Sequence, residues 1–104
     1  MTKSGKKPEE LDDLYRAVLE LKDLEDCKHF FQDLCTVGEL RAMEQRFEVA
    51  ILLSEGMIYN DILERTGASS ATISRVNRSL QYGAGGYEKV LPAIKEKLKA
   101  DGKL

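Results

Sequence analysis

Apolar residues recur along this chain three and four positions apart, and no stretch alternates as a half-buried strand would. The pattern predicts six helices and no internal repeat. The first starts at Pro8-Glu9-Glu10, where proline suits the first turn and the acids suit the positive end of the helix dipole. Leu11, Leu14, Val18 and Leu21 follow as a 3-4-3 seam, narrow enough to require a partner helix. Asp26 is placed to cap the second helix, which carries Cys27, Phe30, Phe31 and Leu34 on one face. Thr36 and Glu39 have the spacing of a capping box, in which each side chain accepts the other's backbone N–H. The third helix runs from there to about Ser54, turning Leu40, Met43, Phe47, Ala50, Ile51 and Leu53 inward, and Gly56 ends it.

The segment from Asn60 to Arg75 reads as a helix-turn-helix. A short amphipathic helix ends at Gly67, and a second starts at the Ser69-Ser70 pair, either of which can cap it. Ile62, Leu63, Ala68, Ile73 and Val76 occupy the positions that lock two such helices together. The outer face of the second helix holds Ser70, Thr72, Ser74, Arg75 and Arg78, short hydrogen-bonding groups and two cations that suit a major groove. In that arrangement Ser69 or Ser70 donates to a phosphate, and Ser70, Ala71 and Ser74 face bases or waters. Thr72, Arg75 and Arg78 hold the backbone. Gly83-Ala84-Gly85-Gly86 then breaks the chain, and a last helix carries Val90, Leu91, Ile94 and Leu98. Pro92 has no N–H to give an interior turn, so regular helix is expected from near Leu91. Lys95 to Lys103 suits the negative end of that helix and is expected to fray.

Length allows one domain, expected over residues 8–100, with a basic arm at 1–7 and a frayed tail at 101–104. The arm is either a solubilising tail or a contact to the DNA backbone. A chain of 104 residues buries a marginal core, which a homodimer would enlarge. The net charge of −2 weighs against nucleic acid only until its distribution is considered. From Arg65 through Tyr87 there is no acid, while Arg65, Arg75 and Arg78 are all present. The longest apolar run, Val49 to Leu53, is five residues, so no membrane partner is expected and the location is read as cytoplasmic. Cys27 and Cys35 are then reduced thiols. They read either as small core residues or, with His29 between them, as part of a metal site, and zinc wants more ligands at tighter spacing. The expected metal set is none.

Leu34-Cys35-Thr36, Glu39-Leu40-Arg41, Arg46, Leu52-Leu53-Ser54-Glu55-Gly56-Met57, Ala71-Thr72-Ile73-Ser74-Arg75 and Asn77-Arg78-Ser79-Leu80, taken together, resemble the tryptophan repressor family. Within it the chain is similar to the YerC/YecD-type Trp-repressor-like proteins. The resemblance covers roughly residues 34 to 82, with a gap of one residue near Gly56. It implies an all-α fold of about six helices in an intertwined homodimer, whose outer helices wrap the partner and give the Leu11–Leu21 seam something to pack on. It also implies a small-molecule corepressor pocket. Arg46 and Arg75 stand where the family's two arginines sandwich a ring, the backbone carbonyls of Cys35 and Thr36 face an amino group, and Thr72 and Ser79 are kept. Val76 replaces the glycine that follows the second arginine, which narrows the slot and weighs against tryptophan. Val37-Gly38 replaces Pro-Asp, and Ser70 replaces an apolar residue at the start of the reading helix. Asn60 and Leu63 stand where the family has basic groups, so a different operator is expected. Arg46 has a second reading as an ion pair with Glu39 or Glu48, and Arg75 is either a ligand or a phosphate contact.

The function expected from these residues is a sequence-specific DNA-binding transcription regulator, a repressor by resemblance, whose partners are double-stranded DNA and a second copy of itself. The alternative is an interaction or adaptor module that keeps the fold without specific DNA binding. An enzyme is not expected. One histidine, no nucleophile-base pair and a glycine run without the lysine of a phosphate loop leave no catalytic set.

Overall fold

A computed structural model describes residues 11–104, which fold as six helices with no strand among the described residues. They are α1 (Asp13–Val18), α2 (Leu24–Leu34), α3 (Val37–Ser54), α4 (Tyr59–Thr66), α5 (Ser70–Tyr82) and α6 (Gly86–Ala100). The expected basic arm and the Pro8 helix start lie outside the described residues. The described residues divide into two compact units, 11–40 and 41–104.

In the first unit α1 is shorter than its seam. It ends at Val18, and Leu21 lies beyond it, in a turn whose N–H donates to Val18 C=O at 3.1 Å. Six residues cannot hold a helix open without tertiary cover, and none of the six is buried. The start of α2 corrects a second expectation. Asp23, in extended conformation, is the cap and accepts the Asp26 N–H at 2.9 Å. Asp26 sits three residues further on, and its side chain accepts the N–H of Lys22, the residue before the cap, at 3.2 Å. The start of α3 is as the spacing predicts. The Thr36 N–H donates to Glu39 Oε1 at 2.8 Å and the Glu39 N–H to Thr36 Oγ1 at 3.1 Å. The Thr36 backbone N–H, and after it the Thr36 hydroxyl, hold the Glu39 carboxyl below its ordinary pKa.

The second unit has a core of Val49, Ala50, Leu52, Ile62, Ala68, Ile73 and Val76, with Leu53, Met57, Leu80 and Tyr87 packed against it. Three helices therefore meet there: the C-terminal half of α3, α4 and α5. Leu63, expected to share in the lock, is 43% exposed. With Ile62 and Thr66 turned inward on a 3.6-residue period, Leu63 falls about 100° off that face. α3 closes at Gly56, whose positive φ lets Met57 N–H reach Leu52 C=O at 3.1 Å and Gly56 N–H reach Leu53 C=O at 3.0 Å. α6 closes in the same way at Gly102, at the head of the segment expected to fray.

α6 starts at Gly86, five residues before Leu91, and Pro92 lies inside it. The carbonyl that loses a donor belongs to Glu88, and both residues are exposed, so the vacant acceptor faces solvent rather than the core. Two groups of contacts, one aromatic and one ionic, tie α6 to α3 and to Glu55 just after it. The rings of Phe47 and Tyr87 stack at 6.3 Å. Lys95 Nζ lies 2.6 Å from Glu55 Oε2 and 3.4 Å from the Ser54 carbonyl, while Lys99 reaches Glu55 Oε1 at 3.7 Å. The Lys95 ammonium, with Lys99 behind it, holds the Glu55 carboxyl below the usual range.

Candidate functional site

The helix-turn-helix is α4, the turn through Gly67 and Ala68, and α5. Gly67 takes φ 74°, a left-handed conformation that a side chain would resist, and its N–H bonds Leu63 C=O at 2.9 Å. Thr66 fastens the turn from within: its hydroxyl donates to Ile62 C=O at 2.8 Å and accepts the Ala68 N–H at 3.1 Å. The bend therefore has its polar groups matched locally while Ala68 drops into the core.

Ser69, rather than Ser70, is the cap of α5. It is extended (φ −71°, ψ 158°), and its Oγ accepts the Thr72 N–H at 3.1 Å. The Ser69 hydroxyl donates to Thr72 Oγ1, also at 3.1 Å, which leaves the Thr72 hydroxyl hydrogen free to donate onward. From that start the helical period sorts the side chains. Ile73 and Val76 are buried, Thr72 and Asn77 are half-buried, and Ser70, Ala71, Ser74, Arg75, Arg78 and Ser79 are exposed. Of the expected outer face, Ser70, Ser74, Arg75 and Arg78 lie exposed on one helix, while Thr72, expected with them, is turned half inward. Among the described residues Arg46, Arg75 and Arg78 form no ion pair, so the reading of Arg46 as a partner of Glu48 has no contact behind it.

The residues expected to hold a small molecule are only partly brought together. Arg46 of α3 and Arg75 of α5 line one cavity of about 90 Å³ with Ala42, Gln45 and Thr72. Ser79 is not there. It lines a second, larger cavity of about 350 Å³ with Phe47, Gly83, Ala84, Gly86, Tyr87 and Val90. About two helical turns and the buried Val76 separate Thr72 from Ser79 along α5. Cys35 and Thr36 belong to the first unit, where Cys35 is the C-cap of α2 and Thr36 opens α3. Cys27 and Cys35 are free, half-buried thiols. The smaller cavity is well below the roughly 300 Å³ at which small-molecule pockets begin. Gln45 is a site residue that sequence reasoning missed. Nothing in the pattern marks a glutamine between Met43 and Phe47, and its significance comes from the Thr66 carbonyl to which it donates at 3.2 Å.

Among the described residues no helix is long and apolar enough to cross a membrane. The profile of a family described as Trp repressor protein matches residues 9–95. The uncharacterized protein YerC of Bacillus subtilis (strain 168) is 54% identical over 87 residues, which cover 84% of each chain. The crystal structure of a TrpR like protein from Eubacterium eligens ATCC 27750 superposes with a TM-score of 0.80 at 50% identity, covering 86% of this chain and 92% of that one. A solved structure from Staphylococcus aureus also gives 0.80, at 44% identity, over 86% of this chain and 89% of that one.

Proposed function

This chain belongs to the Trp repressor family, and we propose from that premise that it is a cytoplasmic transcription regulator that reads double-stranded DNA as a homodimer. The observation that carries this reading is the sorting of α5. One side is locked into the core by Ile73 and Val76, while the other presents Ser70, Ala71, Ser74, Arg75 and Arg78 to solvent from a serine-capped start. Ser70, Ala71 and Ser74 face base edges or bridging water in the major groove. Thr72, Arg75 and Arg78 hold phosphates, the donors being the Thr72 hydroxyl and two guanidiniums that form no ion pair among the described residues. The lack of acids between Arg65 and Tyr87 keeps that face cationic on a chain of net charge −2.

The homodimer is supported by what the first unit lacks. No described residue of α1 or α2 is buried, and Leu14, Tyr15, Leu24 and Leu34 are exposed, a face that a second copy would cover. Two-fold pairing sets the reading helices about 34 Å apart, one turn of DNA. A small-molecule corepressor would be held by Arg46 and Arg75 at the cavity that they line with Thr72. The cavity of about 90 Å³ and the buried Val76 favour a small anion over an indole ring there.

A salt titration of DNA binding tests the reading. The association constant is expected to fall steeply with salt, and Arg75→Ala and Arg78→Ala each to reduce the log–log slope by about 1. Binding that is absent, or indifferent to salt, contradicts it and favours an interaction module.

A further inference from the structure

The helix-turn-helix is held to α3 in two physically different ways. The first is apolar: Val49, Ala50 and Leu52 of α3 pack with Ile62, Ala68, Ile73 and Val76. Such packing is strong but has no direction, and on its own it leaves a helix pair free to rock by small angles. The second is a single directed bond. Gln45 Nε2 donates to the Thr66 carbonyl at 3.2 Å, joining positions 21 residues apart in a partly buried setting. Thr66 is the last residue of α4, so its carbonyl is one of those that a helix end leaves without a partner. The hydroxyl of the same threonine already ties α4 to the turn, through Ile62 C=O and Ala68 N–H. Whatever fixes Thr66 therefore fixes the bend from which α5 departs.

The Gln45 side chain also forms part of the wall of the cavity of about 90 Å³ that Arg46, Thr72 and Arg75 line. One residue thus touches both the turn and the space beside the first turns of α5. We propose that Gln45 is a positioning residue, a built-in strut that holds α5 in its DNA-reading orientation with no ligand in the Arg46–Arg75 cavity. The proposal rests on the DNA-reading function above and adds its regulation: the motif is set by the chain itself.

The experiment uses full-length protein dialysed free of small molecules. Gln45→Met keeps the length of the side chain and deletes the donor. Gln45→Glu puts an acceptor opposite the Thr66 carbonyl. Leu91→Ala, a truncation of a buried residue on α6, is the control for general loss of stability. Three quantities are read well below the melting point: hydrogen exchange of the Gly67 and Ala68 amides, DNA affinity, and its salt slope. Ligand-free wild type is expected to bind DNA. Gln45→Met is expected to speed exchange at the turn and to weaken binding by about two- to tenfold each, the range for one lost hydrogen bond. Its salt slope stays unchanged, because no phosphate contact is lost. Gln45→Glu exceeds it in both respects, and Leu91→Ala lowers the melting temperature with neither effect. Unchanged exchange at the turn in Gln45→Met overturns the strut, as does wild type that binds DNA only after a ligand such as tryptophan is added. If wild type binds no DNA in any condition, the regulatory reading fails with it, and the exchange data separately report whether Gln45 fixes the turn.

Discussion

The two units of this chain use the same helical pattern to different ends. In residues 41–104 the apolar stripes of α3, α4 and α5 close on one another, and Val49, Ala50, Ile62 and Ile73 are almost wholly removed from solvent. In residues 11–40 the stripes are equally regular in sequence, yet none of the residues of α1 or α2 is buried. An amphipathic pattern states that a face must be covered and says nothing about what covers it. The second unit supplies its own cover, and the reading helix is mounted on it. The first unit carries the face that a second copy is proposed to complete.

Truncations in the two units should therefore break different things. Ile62→Ala and Ile73→Ala empty space in the closed core and are expected to cost about 2–5 kcal/mol in chemical denaturation. Leu24→Ala and Leu14→Ala remove half-open or open side chains. They are expected to act on self-association, raising the dimer dissociation constant in sedimentation while leaving the motif's own stability nearly intact. Equal unfolding losses from both pairs at fixed protein concentration would erase the distinction.

The caps sharpen the comparison at smaller scale. Ser69→Ala removes the acceptor for the Thr72 N–H and is expected to cost about 1 kcal/mol, whereas Ser69→Gly costs only a few tenths. Gly83→Ala is expected to destabilise as well, because a Cβ there collides with the Ser79 carbonyl oxygen at the end of α5. Thermal unfolding of the three variants checks both statements.

The smallest expected effects are those of pH, and each unit has one reporter. Glu39 in the first and Glu55 in the second are held below the ordinary carboxylate value, Glu39 by the Thr36 backbone and hydroxyl and Glu55 by Lys95. A lowered folded value means that the unfolded chain binds the proton more tightly. The contribution of each is thus complete above the unfolded carboxylate range and is lost as pH falls through the lower folded value. Lys95→Met is expected to raise the Glu55 titration, followed by carboxyl chemical shifts, and to leave Glu39 where it was.

Much of this was legible in the residues. The Thr36-Glu39 box, Gly56, Gly67, the serine cap and the inward Ile62, Ala68, Ile73 and Val76 are local rules, satisfied within a few positions of themselves. The departures arise where local rules compete. Asp23 and Asp26 both suit a cap, and the Asp26 N–H, given to the Asp23 side chain, places Asp26 inside the helix. Pro92 forbids only one hydrogen bond, and on an exposed face that loss does not stop α6. Leu63 is apolar and next to a core position, but the helical period turns it outward. The site is less legible than the fold. Arg46 and Arg75 do meet at one cavity, Ser79 faces another, and Gln45 matters through a carbonyl 21 positions away, which no spacing rule reaches.

The central claim is that α5 reads DNA from a paired scaffold. Selection of binding sites from random duplex DNA by the purified full-length chain, at fixed moderate salt and with and without added tryptophan, tests it most directly. The account predicts an enriched near-palindrome with half-sites about one helical turn apart, selected equally well without tryptophan and lost with Arg75→Ala. A pool that shows no enrichment in either condition would contradict it.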